Sequence, residues 1–252
     1  MTSFSANLGF LWTELTLPDA IRAAHRAGFS AVECHWPYAV PAQDVRAALD
    51  ETGLPMLGLN TGRGNVENGD NGLSAICGRE AEAQAAIDEA IAYADVIDAA
   101  AIHVMAGFAS GEAAHHCFVK NLSYAADQTD RTILIEPLNR NDAPNYFLSN
   151  TEQAAQIITA VGKPNLKLMF DCYHVGRTEG DLITRLKDLL PVIGHVQFAS
   201  VPDRGAPDHG EINYEWLFPE IDRLGWTQPL GAEYKTKAAT EATLGWLNPA
   251  EV

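Results

Sequence analysis

The sequence has 252 residues, of which 47% are hydrophobic and 20% are charged, and its formal net charge is -16 at pH 7. This length suits one domain with a substantial core, and the composition excludes a chain that is disordered throughout. The negative charge argues against a nucleic-acid partner, whose phosphates are neutralised by Lys and Arg, but it does not exclude a small anionic substrate.

Short apolar segments alternate with longer amphipathic segments along the whole chain. We predict strands near residues 5–11, 30–35, 55–60, 101–106, 132–138, 166–172, 193–199 and 229–235. We predict helices near residues 18–27, 42–52, 79–98, 111–127, 151–161, 179–189, 213–223 and 239–247. Helix-capping residues precede several of these segments, for example Asn150 and Asn213.

Eight strands that are each followed by a helix predict parallel pairing through crossover helices. The count of eight and the length favour an α/β fold of the closed (β/α)8 TIM-barrel type, with residues 1–252 as a single domain. A doubly wound open sheet is the alternative, because alternation alone cannot show closure. The segment 60–78 is unusually long and polar for a βα loop. It is either a lid over the active site or a plain surface excursion.

The four cysteines, at positions 34, 77, 117 and 172, have no paired spacing. They predict reduced, mostly buried thiols and neither a disulfide framework nor a zinc site. The first eleven residues lack the pattern of a signal peptide, and no stretch approaches the roughly 18 consecutive apolar residues of a membrane span. We therefore expect a cytoplasmic protein without a membrane segment. No segment of the sequence predicts an oligomer, although an apolar patch on the outer helices could form a homodimer.

Chelating side chains end four successive predicted strands: Glu136, Asp171, Gln197 and Glu233. The active site of a TIM barrel lies at the carboxyl ends of its strands, so these side chains are expected to point at one place. Three buried carboxylates repel one another unless they are protonated or neutralised by a cation. Oxygen ligands without thiolate suit Mg²⁺ or Mn²⁺. Each of these residues, taken alone, could instead cap a loop or form an ion pair. Such separate roles explain less well why chelating side chains end four successive predicted strands.

The same strand ends carry motifs similar to those of the hydroxypyruvate isomerase family. They are IEPLNR at 135–140, PNYFL at 144–148, FDCYH at 170–174, HVQFA at 195–199, PDR at 202–204, GEINY at 210–214 and GAEY at 231–234. That family belongs to the xylose-isomerase-like barrels. The resemblance covers nearly the whole chain, and its specific motifs lie in the second half.

The resemblance implies four ligands for a divalent metal ion: Glu136, Asp171, Gln197 and Glu233. It also implies that Glu136 and Glu233 donate and accept the proton. Ketose epimerases of the same superfamily carry His where Gln197 stands, which favours the isomerase branch. The chain departs from the family pattern at Gly176-Arg177 and at His209. Both departures lie in loops expected near the substrate, so they leave the identity of the substrate open.

The expected reaction interconverts hydroxypyruvate and tartronate semialdehyde by proton transfer through an enediolate, with a direct hydride shift as the other route. His174 is expected to hydrogen-bond a substrate oxygen, and Arg204 to bind the substrate carboxylate with its planar fork. His103, at the end of the fourth strand, is also assigned to substrate binding. The alternatives are a structural histidine at 174, a surface arginine at 204, and indirect roles behind the pocket for His103 and His35.

Other functions are compatible with the same ligand set. A 2-oxo-tetronate isomerase or a ketose epimerase would use the same chemistry on another substrate. A non-catalytic barrel that binds a metal or a sugar acid is a different class of protein, against which the two glutamates in acid–base positions argue. An endonuclease of the same superfamily is disfavoured by the net charge of -16.

Overall fold

The computed structural model describes residues 2–247, which contain one eight-stranded parallel sheet. Its strands are β1 (Phe4–Asn7), β2 (Ala31–Glu33), β3 (Gly58–Asn60), β4 (Ala101–His103), β5 (Thr132–Ile135), β6 (Leu166–Asp171), β7 (Ile193–Phe198) and β8 (Leu230–Ala232). The order of neighbours is β2-β1-β8-β7-β6-β5-β4-β3. Every predicted strand is present, although most are shorter than predicted.

Backbone hydrogen bonds between the segments that contain β2 and β3 close the sheet. Leu57 donates its amide hydrogen to the Val32 carbonyl at 2.7 Å, and Cys34 donates to Gly58 at 3.0 Å. The edges of the eight-stranded sheet are therefore joined to each other. This closure confirms the TIM barrel and excludes the doubly wound sheet.

Eight α-helices surround the strands. They are α1 (Leu17–Arg26), α2 (Ala42–Thr52), α3 (Glu80–Ile97), α4 (Gly111–Gln128), α5 (Thr151–Val161), α6 (Cys172–Thr178), α7 (Leu182–Leu189) and α8 (Tyr214–Arg223). The predicted caps Asn150 and Asn213 accept backbone hydrogens from Gln153 and Trp216. None of the helices in the described part of the chain is long and apolar enough to cross a membrane.

Two helix predictions were inaccurate. Helix α6 was not predicted, because it begins directly at the end of β6, where the Asp171 carboxylate accepts the backbone hydrogen of Tyr173. The helix predicted at 239–247 is reduced to a 3₁₀ helix, Thr240–Thr243, within the described residues. Buried Thr240 accepts the backbone hydrogen of Trp12 through its hydroxyl, so a tertiary contact takes precedence over local helix propensity here.

The cysteine prediction was wrong for two of the four residues. Cys77 and Cys117 form a disulfide that joins the end of the β3–α3 loop to α4. Cys34 and Cys172 are buried free thiols, as predicted. The two cysteines are separated by 40 residues, so no local sequence pattern indicates that they pair. The pairing depends on the way the loop folds back onto α4.

The β3–α3 loop is attached to the neighbouring strand in its second half. Ser74 and Ala75 donate backbone hydrogens to the carbonyls of Met105 and Ala106. Gly72 has φ +109°, and a Cβ at this position would lie 2.7 Å from Met105, so the close approach requires glycine. The second half of this loop is therefore attached to the barrel, whereas the first half contains exposed Val66.

Candidate active site

The carboxyl ends of β5 to β8 bring the four predicted chelating side chains to one end of the barrel. Glu136 and Glu233 directly follow β5 and β8, whereas Asp171 and Gln197 lie opposite each other in the β6–β7 pairing. All four are buried. The shortest approach is among Glu136, Asp171 and His174, which each offer one ligand atom within 4.8 Å of the others.

Several polar atoms at this end of the barrel lack the hydrogen bonds that burial normally requires. Within residues 2–247, Glu136 Oε1, Asp171 Oδ2 and Gln197 Oε1 are buried without a hydrogen-bond partner. A buried carboxylate or amide oxygen that has no partner is destabilising by several kcal/mol, roughly, so such groups are usually paired or bind a cation. Oxygens of this type suit a hard divalent cation. The donor set therefore fits Mg²⁺ or Mn²⁺.

Thiolate does not contribute to the site. Cys172 follows Asp171 directly, and burial together with the charge of Asp171 raises the pKa of its thiol well above the usual value. Burial likewise raises the pKa of the Cys34 thiol to about 12. Both cysteines therefore remain protonated near neutral pH, which disfavours the softer metals that prefer sulfur.

Glu233 differs from Glu136 and Asp171 because both its oxygens have partners. His35 Nε2 lies 2.8 Å from Oε1, and the Arg204 guanidinium donates to Oε2 at 3.0 Å. The same Arg204 nitrogen lies 3.8 Å from Asp171 Oδ2, so one guanidinium reaches two of the predicted ligands. Arg204 therefore lies in the site and not on the surface, contrary to the alternative considered from the sequence.

The two glutamates have pKa values displaced in opposite directions. Burial, together with the charges of Glu233 and Asp171, raises the pKa of Glu136 well above its usual value. Burial also opposes ionisation of Glu233, but the charge of Arg204 and the hydrogen bond with His35 lower its pKa to about 2. Burial and the charge of Glu233 raise the pKa of Asp171 to about 7. The two glutamates are thus biased in opposite directions, Glu233 towards the ionised form and Glu136 towards the protonated form, a combination suited to acid–base chemistry.

His174 is held in one tautomer by Asn139. The backbone N–H and the side-chain Nδ2 of Asn139 both face His174 Nδ1, at 2.9 and 2.8 Å. The Asn139 amide cannot be reversed without loss of bonds, because its Oδ1 accepts the backbone hydrogens of Asn141 and Asp142. Nδ1 must therefore accept, and the proton of the neutral ring lies on Nε2.

The locked tautomer decides what His174 can do. Burial and the charge of Arg204 lower the pKa of the ring to about 3, so it is neutral. Its Nε2–H has no hydrogen-bond partner within residues 2–247 and lies 3.6 Å from Asp171 Oδ2 and 3.8 Å from Glu136 Oε1. A protonated nitrogen cannot bind a metal ion, so His174 is a hydrogen-bond donor in the site and not a fourth ligand.

His103 and His35 each approach one of the two glutamates. His103 Nδ1 is 3.8 Å from Glu136 Oε2, and neither ring nitrogen has a hydrogen-bond partner in the described chain. Burial lowers the pKa of His103 to about 4, so this ring is neutral as well. His35 packs so closely on Gly9 that a Cβ there would lie 2.1 Å from its Nδ1. The ring of His35 is thereby fixed against Glu233.

Aromatic rings hold Arg204 in place. The guanidinium carbon is 4.8 Å from the centre of the Phe10 ring and 5.1 Å from that of Tyr173. Arg204 also has φ +57°, and its carbonyl accepts the backbone hydrogen of Lys235 at 2.7 Å. Both side chain and backbone are therefore fixed, which suits a residue that must hold a planar anion.

The two departures from the family pattern lie outside this cluster. The Arg177 guanidinium donates to Tyr173 Oη and to the Pro202 carbonyl. His209 is half exposed and lies between Asp203 and Asp208, where it stabilises the loop that carries Arg204. Both residues therefore support the walls of the site and do not line its floor.

Two residues that the sequence analysis did not single out are part of the site. Asn139 fixes His174, and buried Glu33 hydrogen-bonds Gln197. Glu33 shares the signal that led to the other ligands, since it is a charged residue that ends a short apolar strand. Asn139 lies three residues beyond Glu136 in the same strand-end motif.

Comparisons with known proteins agree with the fold. The family model described as xylose isomerase-like TIM barrel matches residues 21–250. A 2-oxo-tetronate isomerase from Cupriavidus necator is 42% identical over 99% of this chain and 98% of its own length. A hydroxypyruvate isomerase from Escherichia coli is 37% identical over 99% of both chains.

Solved structures show the same architecture. A crystal structure from Brucella melitensis, described as an AP endonuclease of family 2, superposes with a TM-score of 0.95 at 35% identity and covers 99% of both chains. A 3-keto-D-glucoside 4-epimerase from Escherichia coli is 20% identical with a TM-score of 0.81, over 99% of this chain and 100% of its own. The second likeness concerns the fold alone.

Proposed function

The chain belongs to the xylose isomerase-like TIM barrels, and within them to the group of hydroxypyruvate and 2-oxo-tetronate isomerases; from this premise we propose that it is a divalent-metal-dependent isomerase of short hydroxy-oxo acids. The reaction proposed first is the interconversion of hydroxypyruvate and tartronate semialdehyde. In this reaction the carbonyl and hydroxyl groups of C2 and C3 exchange, while the carboxylate at C1 is unchanged.

The observation that carries the proposal is a set of buried side-chain oxygens that have no hydrogen-bond partner in the described chain. The set comprises Glu136 Oε1, Asp171 Oδ2 and Gln197 Oε1. Glu136 and Asp171 each have a ligand atom within 4.8 Å of His174, a neutral histidine whose Nε2–H is also unpaired, and Gln197 lies opposite Asp171 in the strand register. A purely structural cluster would have its polar atoms satisfied by neighbours. This one is arranged for a cation and for a substrate oxygen.

We assign the metal to four residues: Glu136, Asp171, Gln197 and Glu233. Bound there, Mg²⁺ or Mn²⁺ would supply Lewis-acid polarisation of the substrate carbonyl and neutralise the negative charge that develops beside it. Arg204 donates to Glu233 Oε2 in the metal-free protein. If Glu233 bound the metal with this oxygen, the guanidinium would be free to bind another anion. The substrate carboxylate is the anion we assign to it.

The chain's own residues move the protons. The Glu233 carboxylate, which is ionised, removes the proton from the substrate carbon that bears the hydroxyl. Glu136, whose pKa is raised, returns a proton to the neighbouring carbon. His174 donates a hydrogen bond from Nε2–H to the substrate oxygen on which negative charge develops, and the proton of the substrate hydroxyl passes to this oxygen as the hydroxyl becomes the new carbonyl. His103 Nδ1 lies 3.8 Å from Glu136 Oε2.

A second substrate is favoured by a specific observation. The 2-oxo-tetronate isomerase of Cupriavidus necator is 42% identical to this chain. Its substrate has the same oxo and hydroxyl groups next to a carboxylate and is longer by one hydroxymethyl group. An epimerase acting on free ketoses has less support, since it would leave Arg204 without a carboxylate. DNA cleavage, suggested by the description of the Brucella structure, is opposed by the net charge of -16.

Proton NMR in D₂O tests the proposal. Metal-stripped protein is incubated with hydroxypyruvate, without metal and with Mg²⁺ or Mn²⁺ added. We expect tartronate semialdehyde that carries deuterium on carbon, and only in the presence of metal. Turnover in thorough chelator, or a product without deuterium, contradicts the mechanism. If only the four-carbon 2-oxo acid reacts, the mechanism stands and the substrate changes. Turnover of neither acid, with metal binding intact, supports a non-catalytic binding protein.

A further inference from the structure

Glu33 is a buried carboxylate that the proposed reaction does not use. It ends β2, and only 4% of its surface is exposed. Within residues 2–247 its one ion-pair partner is His195, and no Lys or Arg approaches it. A carboxylate in this position requires other donors to compensate for the loss of water.

Four donors from strands β1 and β7 converge on the two oxygens of Glu33. Ser5 Oγ and His195 Nε2 lie 3.3 and 2.5 Å from Oε2. Asn7 Nδ2 and Gln197 Nε2 donate to Oε1 at 3.0 and 2.8 Å. Each oxygen thus faces two groups that can donate, and Glu33 serves as the common acceptor of this cluster.

This arrangement fixes the amide of Gln197. The two ends of a glutamine amide have nearly the same shape, so its hydrogen-bond partners decide which end points where. Because Nε2 must face Glu33, Oε1 points away from it, and Oε1 is one of the orphaned oxygens of the candidate metal site. Reversal of the amide would bring an oxygen against a carboxylate and an N–H against the metal ion.

We propose that Glu33 is a positioning residue that makes Gln197 an oxygen ligand of the metal ion. The inference rests on the metal site of the proposed function. Glu33 contacts neither metal nor substrate in this scheme, and it acts through the orientation of one amide. Mutation of a residue that hydrogen-bonds a metal ligand typically lowers metal affinity by about 10- to 100-fold.

Gly231 makes room for the pair. It lies opposite Gln197 in the β7–β8 register. A Cβ at this position would lie 2.7 and 2.9 Å from the two oxygens of Glu33 and 2.8 Å from Gln197 Cγ. Any side chain on Gly231 would therefore push Glu33 and Gln197 apart, so the chain is built to keep this hydrogen bond.

The test measures Mn²⁺ binding to metal-stripped protein by calorimetry, together with the melting temperature, and needs no turnover. Replacing Glu33 by alanine is expected to weaken binding about 10- to 100-fold, because either end of the Gln197 amide can then face the metal. The double variant E33A/Q197E should recover most of this loss, since a carboxylate offers an oxygen in both orientations. Failure of the double variant to recover affinity overturns the inference.

The conservative variant E33Q separates orientation from charge. Its side-chain oxygen can still accept from Gln197 and Asn7, while its NH₂ can donate to Ser5 Oγ and to His195 Nε2, which accepts in the other ring tautomer. E33Q should therefore retain far more affinity than E33A. If both variants lose the same affinity, the charge of Glu33 matters and its orienting role is excluded.

Glu179 provides a matched control. It is also a largely buried carboxylate, and it accepts two hydrogen bonds from Thr151 and one from Arg185, away from the metal site. E179A should lower the melting temperature without changing the Mn²⁺ affinity. If wild-type protein binds no Mn²⁺, the proposed metal site and this inference both fall. If wild type and E33A bind equally, only the inference falls.

Discussion

At the scale of single residues, the most informative side chain is His174. Its function follows from the two N–H groups of Asn139 that occupy Nδ1, because they leave the ring only one proton, on Nε2. A buried histidine is more often regarded as a metal ligand, and its distances to Glu136 and Asp171 would allow that interpretation. The hydrogen-bond network excludes it, and a neutral donor remains.

Replacing His174 by phenylalanine tests this assignment. The aromatic ring is retained while the donor is lost, so we expect kcat to fall by about 10²- to 10³-fold, as for loss of a donor to a developing oxyanion. Affinity for Mn²⁺, measured on the same preparation, should change little because His174 is not a ligand. A large loss of Mn²⁺ affinity would contradict the tautomer and would return His174 to the ligand set.

At the scale of strands, helices and loops, the sequence predicted the strands and the long helices more accurately than the short segments that connect them. All eight strands were found, since each is a short apolar run between helices, and the residues that end β5 to β8 are buried at one end of the barrel. Helix α6 was missed because its seven residues are too short for a periodic pattern. Glu33 was missed because its partners lie on β1 and β7, far away in the sequence.

The disulfide could not be predicted for a similar reason. Cys77 and Cys117 are separated by 40 residues, and only the folded β3–α3 loop brings them together. In the described structure this bond and the contacts of Ser74 and Ala75 with the β4 segment attach the second half of the loop to the barrel. The first half of the loop has no such covalent attachment.

We expect the disulfide to contribute about 2–4 kcal/mol to the free energy of unfolding, because it closes a long loop in the unfolded chain. Urea denaturation of the oxidised protein and of C77S/C117S measures the difference. In the double serine variant, dithiothreitol should have no effect on stability, since Cys34 and Cys172 are free thiols. Four reactive thiols in unfolded protein prepared without reductant, instead of two, would refute the bond.

At the scale of the whole molecule, the concentration of buried negative charge connects the site to the stability of the barrel. The Arg204 guanidinium pairs with Glu233 and Asp171, and Glu136 lies beside them, in a chain with a net charge of -16. Any divalent ion that binds only the folded state must therefore stabilise it. At a concentration 100-fold above its Kd the ion adds about 2.7 kcal/mol, or roughly 5–10 °C in melting temperature for a chain of this size.

This stabilisation should depend on pH in a defined direction. Burial and the charge of Glu233 raise the pKa of Asp171 from 3.8 to about 7, so the metal-free folded state keeps a proton that the unfolded chain releases. The contribution of this proton to stability is complete below pH 3.8 and is lost as the pH rises through about 7. Chelated protein should therefore become less stable over this interval, and the gain in stability on adding Mg²⁺ or Mn²⁺ should grow as protons cease to compete.

Thermal melts at several pH values, with and without metal, measure both trends, and D171N should show a weaker dependence in each. A metal-induced gain that is independent of pH would mean that the ion binds elsewhere on the molecule.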